Sequence, residues 1–398
     1  MKFRTLILTA LILVGFQSFG QSNYGNLSGK ELNTITTAVP FMLISPDARA
    51  GAMGDVGVST APDVYSMHWN PAKYAWMEKE MSVGLGYSPW LRNLVPDMNL
   101  AYLAFAMRIN DMSAVAATLR YFSLGDIQFT DEQGEDIGSY APNEFAIDAT
   151  YSRKLTENLS AAVAGRFIYS HLTQGQGEGS KAGTSIAADV SVYWQKDVNW
   201  FNNMDARFAW GVNISNIGSK VNYNNTSIKK DFIPTNLRFG PTLTLNIDEY
   251  NSVLISIDIN KLLVPTSPIY ELDSVSGDYV IVDGKDRDVS PVVGMIQSFY
   301  DAPGGFSEEL REFSYSFGTE YWYNKTFAIR AGYFHEDKTK GNRKYFTLGA
   351  GLRYNVFALD CSYLIPVQTK GVTGTSPLEG TIRFNLTFDI PTKKSRAN

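Results

Sequence analysis

The final alternating run of the chain reads TIRFNLTF, Thr381–Phe388. Ile382, Phe384, Leu386 and Phe388 fall on one face of an extended chain, and Thr381, Arg383, Asn385 and Thr387 on the other. Successive side chains of a strand point to opposite faces, so this is a strand with one apolar and one polar side. Alternation alone fits a soluble sheet as well as a membrane wall. The arginine at mid-strand favours the wall, because a barrel around a polar interior has a place for it.

The pattern repeats along the chain. Val253, Ile255, Ile257 and Ile259 oppose Leu254, Ser256, Asp258 and Asn260, and Phe313, Tyr315 and Phe317 oppose Ser314, Ser316, Gly318 and Glu320. Phe357, Leu359, Cys361 and Tyr363 face away from Ala358, Asp360 and Ser362. The segments run to about 9–12 residues, the length of a tilted bilayer-crossing strand rather than the usual 5–6. Their polar faces hold Asp148, Asp189, Asp258, Asp360, Arg330, Arg353 and Arg383. Their ends collect Tyr87, Trp90, Tyr121, Trp194, Trp210 and Tyr321-Trp322-Tyr323, as an aromatic girdle does. The fold class expected is all-β, a 14-stranded antiparallel transmembrane β-barrel.

The expected strands span 81–87, 98–108, 113–124, 144–154, 159–171, 181–195 and 206–214, then 236–246, 252–261, 312–323, 327–336, 345–354, 356–364 and 379–388. Connections alternate in length: Ile109–Met112, Thr156–Asn158, Ile247–Asn251, Asn324–Thr326 and Asn355 are short, whereas Gly125–Asn143, Ser215–Thr235, Leu262–Arg311 and Ile365–Pro377 are long. Outer-membrane barrels carry short turns on the periplasmic side and long loops outside. An even count then places both termini in the periplasm. The connection 196–205 is long for its side. The loop Leu262–Arg311 is too long to be structureless. Short helices are expected over Asp288–Tyr300 and Phe306–Phe313, the second with Ser307 at its cap. The loop is either a surface flap or a partner-docking element, and its candidate contact residues are Ile296, Phe299, Tyr300, Phe306 and Leu310.

Ahead of the strands, Met1–Gly20 reads as a signal peptide, with Lys2 and Arg4 before an apolar core from Leu6 to Phe16. Its removal takes the formal net charge from −5 to −7. A mildly acidic exported chain without a basic tract is a poor nucleic-acid binder. Residues 21–40 are a polar arm. Phe41–Ala72, FMLISPDARAGAMGDVGVSTAPDVYSMHWNPA, has neither long strand alternation nor a helical apolar face. Gly51, Gly54 and Gly57 stand among small residues, which suits close backbone approach in a confined space. We read residues 21–80 as arm and lumen plug, and 81–398 as the barrel. Asn70-Pro71-Ala72 closes the plug and opens a short helix to Met77.

Catalysis has little to stand on. The only cysteine is Cys361, read as a small lipid-facing residue, and His68, His171 and His335 lack ligand spacing. Gly51-x-x-Gly54-x-x-Gly57 has the wrong spacing for a dinucleotide site. Asp148, Asp189, Asp258 and Asp360 lie on separate strands, with no sign that any two meet. No enzyme activity, cofactor or metal is expected. Asp47, Arg49 and Asp55 are expected to pair with one another, or to tie the plug to Arg330, Arg353 or Arg383.

A plug ending in Asn70-Pro71-Ala72 before fourteen strands resembles the FadL-like outer-membrane family. Pro46-Asp47-Ala48-Arg49-Ala50, Gly51-Ala52-Met53-Gly54-Asp55, Trp69-Asn70-Pro71-Ala72 and Tyr87-Ser88-Pro89-Trp90-Leu91 resemble its PorV (LptO) branch over essentially the whole mature chain. The resemblance implies an outer-membrane component of the type IX secretion system. Such a protein takes cargo from the translocon barrel by the cargo's C-terminal signal domain and carries it to the surface attachment complex. The FadL-like alternative is a transporter of hydrophobic small molecules, with an apolar lumen pocket leading to a gap in the wall. Outer-membrane lipid surrounds either one.

Overall fold

The computed structural model describes residues 32–130, 133–172, 179–200, 204–225, 230–274, 277–367 and 376–390. The expected signal peptide lies outside these residues. The first strands are β1 (Met81–Pro89), β2 (Asn99–Arg108), β3 (Ser113–Ser123), β4 (Ile127–Thr130), β5 (Asp136–Tyr140) and β6 (Asn143–Lys154). Next come β7 (Leu159–His171), β8 (Gly183–Trp200), β9 (Met204–Gly218), β10 (Asn236–Asn246), β11 (Asn251–Leu262), β12 (Ile269–Leu272) and β13 (Tyr279–Asp283). The last are β14 (Phe313–Tyr323), β15 (Phe327–His335), β16 (Lys344–Tyr354), β17 (Phe357–Pro366) and β18 (Ile382–Ile390).

Fourteen of these close into one barrel, each antiparallel to its neighbours, and β18 returns to β1 with Met81 opposite Ile390. β4–β5 and β12–β13 are separate hairpins inside two long connections, a feature the sequence reading did not anticipate. The barrel faces divide as the alternation requires: Leu85, Leu103, Ile147, Ile257, Phe317 and Leu348 are exposed outside, whereas Ser82, Asp148, Ser256, Asp258, Glu320 and Arg383 are buried. Tight turns join the strands at one end. Asn324 and Lys325 both have φ of 50°, a left-handed pair within the three-residue turn between the paired ends Tyr323 and Phe327.

Two expectations change here. The long 196–205 connection does not exist, because β8 and β9 keep pairing to Trp200↔Met204. The girdle also loses two members. Trp90 packs inward, against a cluster that includes Phe41 and Phe122. Trp322, on the inward parity of β14, lies beneath the guanidinium groups of Arg330 and Arg353.

Before β1 the chain forms α1 (Ala48–Gly51), α2 (Ser66–Trp69) and a 3-10 helix, Pro71–Trp76. In the connection from β11 to β14 lie α3 (Pro291–Gln297) and α4 (Phe306–Arg311). Ser290 caps α3 by accepting from Val293 N–H. Ser307 does not cap α4; Gly305 holds that position, and the Ser307 hydroxyl donates to Gly304 O instead.

Candidate functional site

Residues 38–77 lie against the inner faces of the barrel strands. The chain arrives from the long-loop end, where Asn33 N–H donates to Thr339 O and Arg287 donates to Thr36 O. It leaves at the short-turn end, where Met81 pairs with Ile390. Asn33 therefore lies at the end of the barrel opposite Ile390, and both chain ends themselves lie outside the described residues.

Hydrogen bonds from the segment's own residues and from the wall hold its turns. Asp47 caps α1 by accepting from Ala50 N–H at 2.8 Å, and its second oxygen accepts from Trp69 Nε1. Ala48 N–H donates to Asn385 Oδ1 on β18 at 2.7 Å. Asp258 of β11 accepts from both Gly57 and Val58 N–H, at 2.8 and 2.9 Å. Asn70 caps the Pro71 helix through Ala72 N–H and donates from Nδ2 to Val58 O and to Val192 O of β8. Pro71 supplies the fixed φ of a first helical residue and no donor to satisfy. The Ala72 carbonyl accepts from the hydroxyls of both Ser152 and Ser160.

Asp63, Arg49, Glu320, Arg330 and Asp360 form one chain of ion pairs. Arg49 grips Glu320 of β14 with two donors, Nε at 3.0 Å and Nη2 at 2.8 Å, and reaches Asp63 with Nη1 at 2.9 Å. Arg330 of β15 donates to the same Glu320 at 2.6 Å and to Asp360 of β17 at 2.7 Å. Gly351 makes the last contact possible, since a Cβ there would lie 2.5 Å from Asp360 Oδ1 and 2.7 Å from Arg330 Nη1. The charges of the segment thus meet the wall through Arg49 and a glutamate not singled out from sequence. Asp55 accepts from Tyr345 OH and lies 3.8 Å from Arg383, whereas Arg353 sits over Trp322. Two of the inward carboxylates share one arginine. Arg166 binds both Asp148 and Asp189 and leaves neither carboxylate as an unpaired acid.

Gly51, Gly54 and Gly57 all stand where a side chain would collide, with Arg383, the Tyr333 backbone and the Trp69 ring respectively. Between the segment and the long loops is a cavity of about 680 Å³. Trp90, Met98, Phe122, Phe334 and Leu378 give it apolar walls, and Trp69, Arg238 and Arg383 also line it.

The partner candidates lie outside this interior. Ile296, Phe299, Tyr300, Phe306 and Leu310 are 47–76 % exposed on and between α3 and α4. Two of them have partners in the chain: Phe299 covers the Lys261 ammonium and Tyr300 the Lys285 ammonium. α4 is held to the rim by charge. Lys261 of β11 binds Glu309 and Glu312, and Lys340 binds Glu308 and Glu312. Beside them, burial and then the Glu309 and Glu312 carboxylates push Asp301 up to about 7. The neutral acid is favoured in the docked loop. This contribution is fully present below about pH 4 and is lost as pH rises through about 7.

Residues 27–269 match the family described as type IX secretion system protein PorV. No curated protein matches the chain. Among solved structures, the toluene transporter TbuX of Ralstonia pickettii is similar at 12 % identity, covering 87 % of this chain and 97 % of its own, with a TM-score of 0.45. The toluene transporter TodX of Pseudomonas putida is similar at 12 % identity over 85 % and 95 %, TM-score 0.44. A FadL homologue of Pseudomonas aeruginosa is similar at 11 % identity over 90 % and 99 %, TM-score 0.39.

Proposed function

The chain belongs to the family of type IX secretion system protein PorV, and from that premise we propose that it is a non-enzymatic cargo carrier. It binds the C-terminal signal domain of secreted proteins at the translocon barrel and delivers them to the surface attachment complex. The short turns face the periplasm, as does the C-terminus, and the long loops face outward. Residues 41–72 act as a plug that closes the lumen.

One observation carries the binding site. The outward loop exposes Ile296 on α3, and Phe306 and Leu310 on α4, the helix that the rim lysines hold in place. Apolar area left in water costs roughly 25 cal/mol per Å², and a rigid apolar patch of this kind marks a contact surface. Phe299 is a poorer target for mutation, because removing it also uncovers Lys261. The combined Ile296→Ser, Phe306→Ser and Leu310→Ser variant is expected to keep a heat-modifiable barrel and to lose most cargo and translocon recovery in pull-downs. Full recovery of both partners would move the binding surface elsewhere.

The orientation has its own test. In a Cys361→Ser background, a cysteine at Gly134 is expected to react with a membrane-impermeant maleimide on whole cells, and cysteines at Asn158 or Asn324 to stay silent. Labelling at Asn158 or Asn324 would reverse the topology. A second reading, transport of hydrophobic small molecules, draws support from the apolar walls of the 680 Å³ cavity.

A further inference from the structure

The hairpin β12–β13 stands apart from the barrel as a two-stranded sheet, with no third strand among the described residues. Two strands alone are marginal in water, and a third strand or a packed layer is the usual remedy. Its side chains heighten the problem. Tyr270, Leu272, Tyr279, Val280, Ile281 and Val282 are 39–73 % exposed, and they occupy both faces of the hairpin. All five residues of β13 are exposed, and the run Tyr-Val-Ile-Val has high strand preference.

Three coverings are conceivable, and the chemistry separates them. Lipid would accept the valines, isoleucine and tyrosines, but it cannot satisfy an open row of backbone N–H and C=O groups. A second copy of the hairpin would satisfy the backbone. However, residues 268–284 carry Glu271, Asp273, Asp278 and Asp283 and no lysine or arginine, so two copies would bring like charges together. A strand from another polypeptide, carrying lysine or arginine beside apolar residues, meets all three needs: backbone pairing, apolar cover and opposite charge.

We propose that the outer edge of β13 is a docking edge for an extended, basic strand of a partner polypeptide, which joins the hairpin as its third strand. The inference goes beyond the cargo-carrier reading. It assigns recognition to backbone pairing at β13 rather than to the helix side chains, and it holds for any polypeptide that supplies such a strand. The hairpin lies in the same connection as α3 and α4, so one partner has room to engage both.

The test uses the full-length barrel in detergent micelles and fluorescence anisotropy with labelled nine-residue peptides. The probe alternates lysine and valine, and its matched controls alternate glutamate and valine or carry N-methyl groups on alternate lysine–valine amides. Binding of the lysine peptide is expected, with at least tenfold weaker binding of both controls. A variant with residues 269–283 replaced by a glycine–serine linker is expected to bind at least tenfold more weakly while remaining heat-modifiable on a gel. The Glu271→Lys, Asp283→Lys variant, which leaves the hairpin without net charge, is expected to lose its preference for the lysine peptide over the glutamate peptide. Equal binding of the N-methylated peptide would overturn the proposal, because charge alone would then suffice. Equal binding by the linker variant would also overturn it, as would a wild-type dimer that the linker abolishes. The helix variant of the preceding section retains the hairpin. It is expected to bind the lysine peptide normally, so failure of the helix surface and failure of the β13 edge are read separately.

Discussion

Glu320→Ala is expected to unseat residues 41–72 and open the barrel to ions. The carboxylate is 1 % exposed and shared by two guanidinium groups, Arg49 from the segment and Arg330 from the wall. Removing it leaves Asp63 to Arg49 and Asp360 to Arg330, and no group joins the two halves. Breaking a buried pair by deleting one partner costs about 3–5 kcal/mol, because the surviving charge stays out of water. The wall itself does not rely on this carboxylate, since β14 pairs with β11 and β15 along its length through the backbone. The expected variant is therefore a folded, heat-modifiable barrel with stepwise conductance in planar bilayers. Arg49→Lys is expected to show a smaller opening, because an ammonium cannot reproduce the bidentate grip while also reaching Asp63. A closed trace from folded Glu320→Ala, with an unchanged melting temperature, would show that the segment is seated without this network.

The wall was legible because its signal is local. Lipid outside and polar groups inside impose a period of two on every strand, and the observed strands follow the expected spans within a few residues except where β8 and β9 run on. Part of the ion-pair network was legible too, had the hairpin registers been used. The short turns between β6 and β7 and between β14 and β15 place Asp148 opposite Arg166 and Glu320 opposite Arg330. The tie from Arg49 to Glu320 was not legible, since it spans 271 residues and depends on how the segment lies in the closed barrel. The hairpins β4–β5 and β12–β13 were hidden for another reason. Each is only 4–5 residues per strand, too short to mark a wall strand, and β12–β13 is apolar on both faces.

Gly332→Val is expected to displace the segment by sterics alone, at a site with no charge to lose. Gly332 lies on the inner face of β15, and a Cβ there would stand 2.0 Å from the Met53 carbonyl carbon and 2.1 Å from Gly54 N. Both atoms are backbone, so no side-chain rotation relieves the clash. Gly54 has little room to retreat, because it takes φ of 70° directly over the Tyr333 backbone. Valine suits a strand better than glycine does, so the barrel should not weaken. Gly165→Val is the matched control, since a Cβ at Gly165 meets nothing within 4 Å. The expected result is open-channel conductance for Gly332→Val and a closed trace for Gly165→Val, with both barrels heat-modifiable. A closed Gly332→Val channel would mean that the segment does not seal the lumen. The same variant separates the two functional readings. A cargo carrier that binds partners on its outward loops should retain cargo in pull-downs with its lumen open. A transporter of hydrophobic molecules uses the lumen itself, so the variant should change uptake of N-phenylnaphthylamine into proteoliposomes. Unchanged uptake together with retained cargo would place recognition on the loops and reduce the segment to a seal.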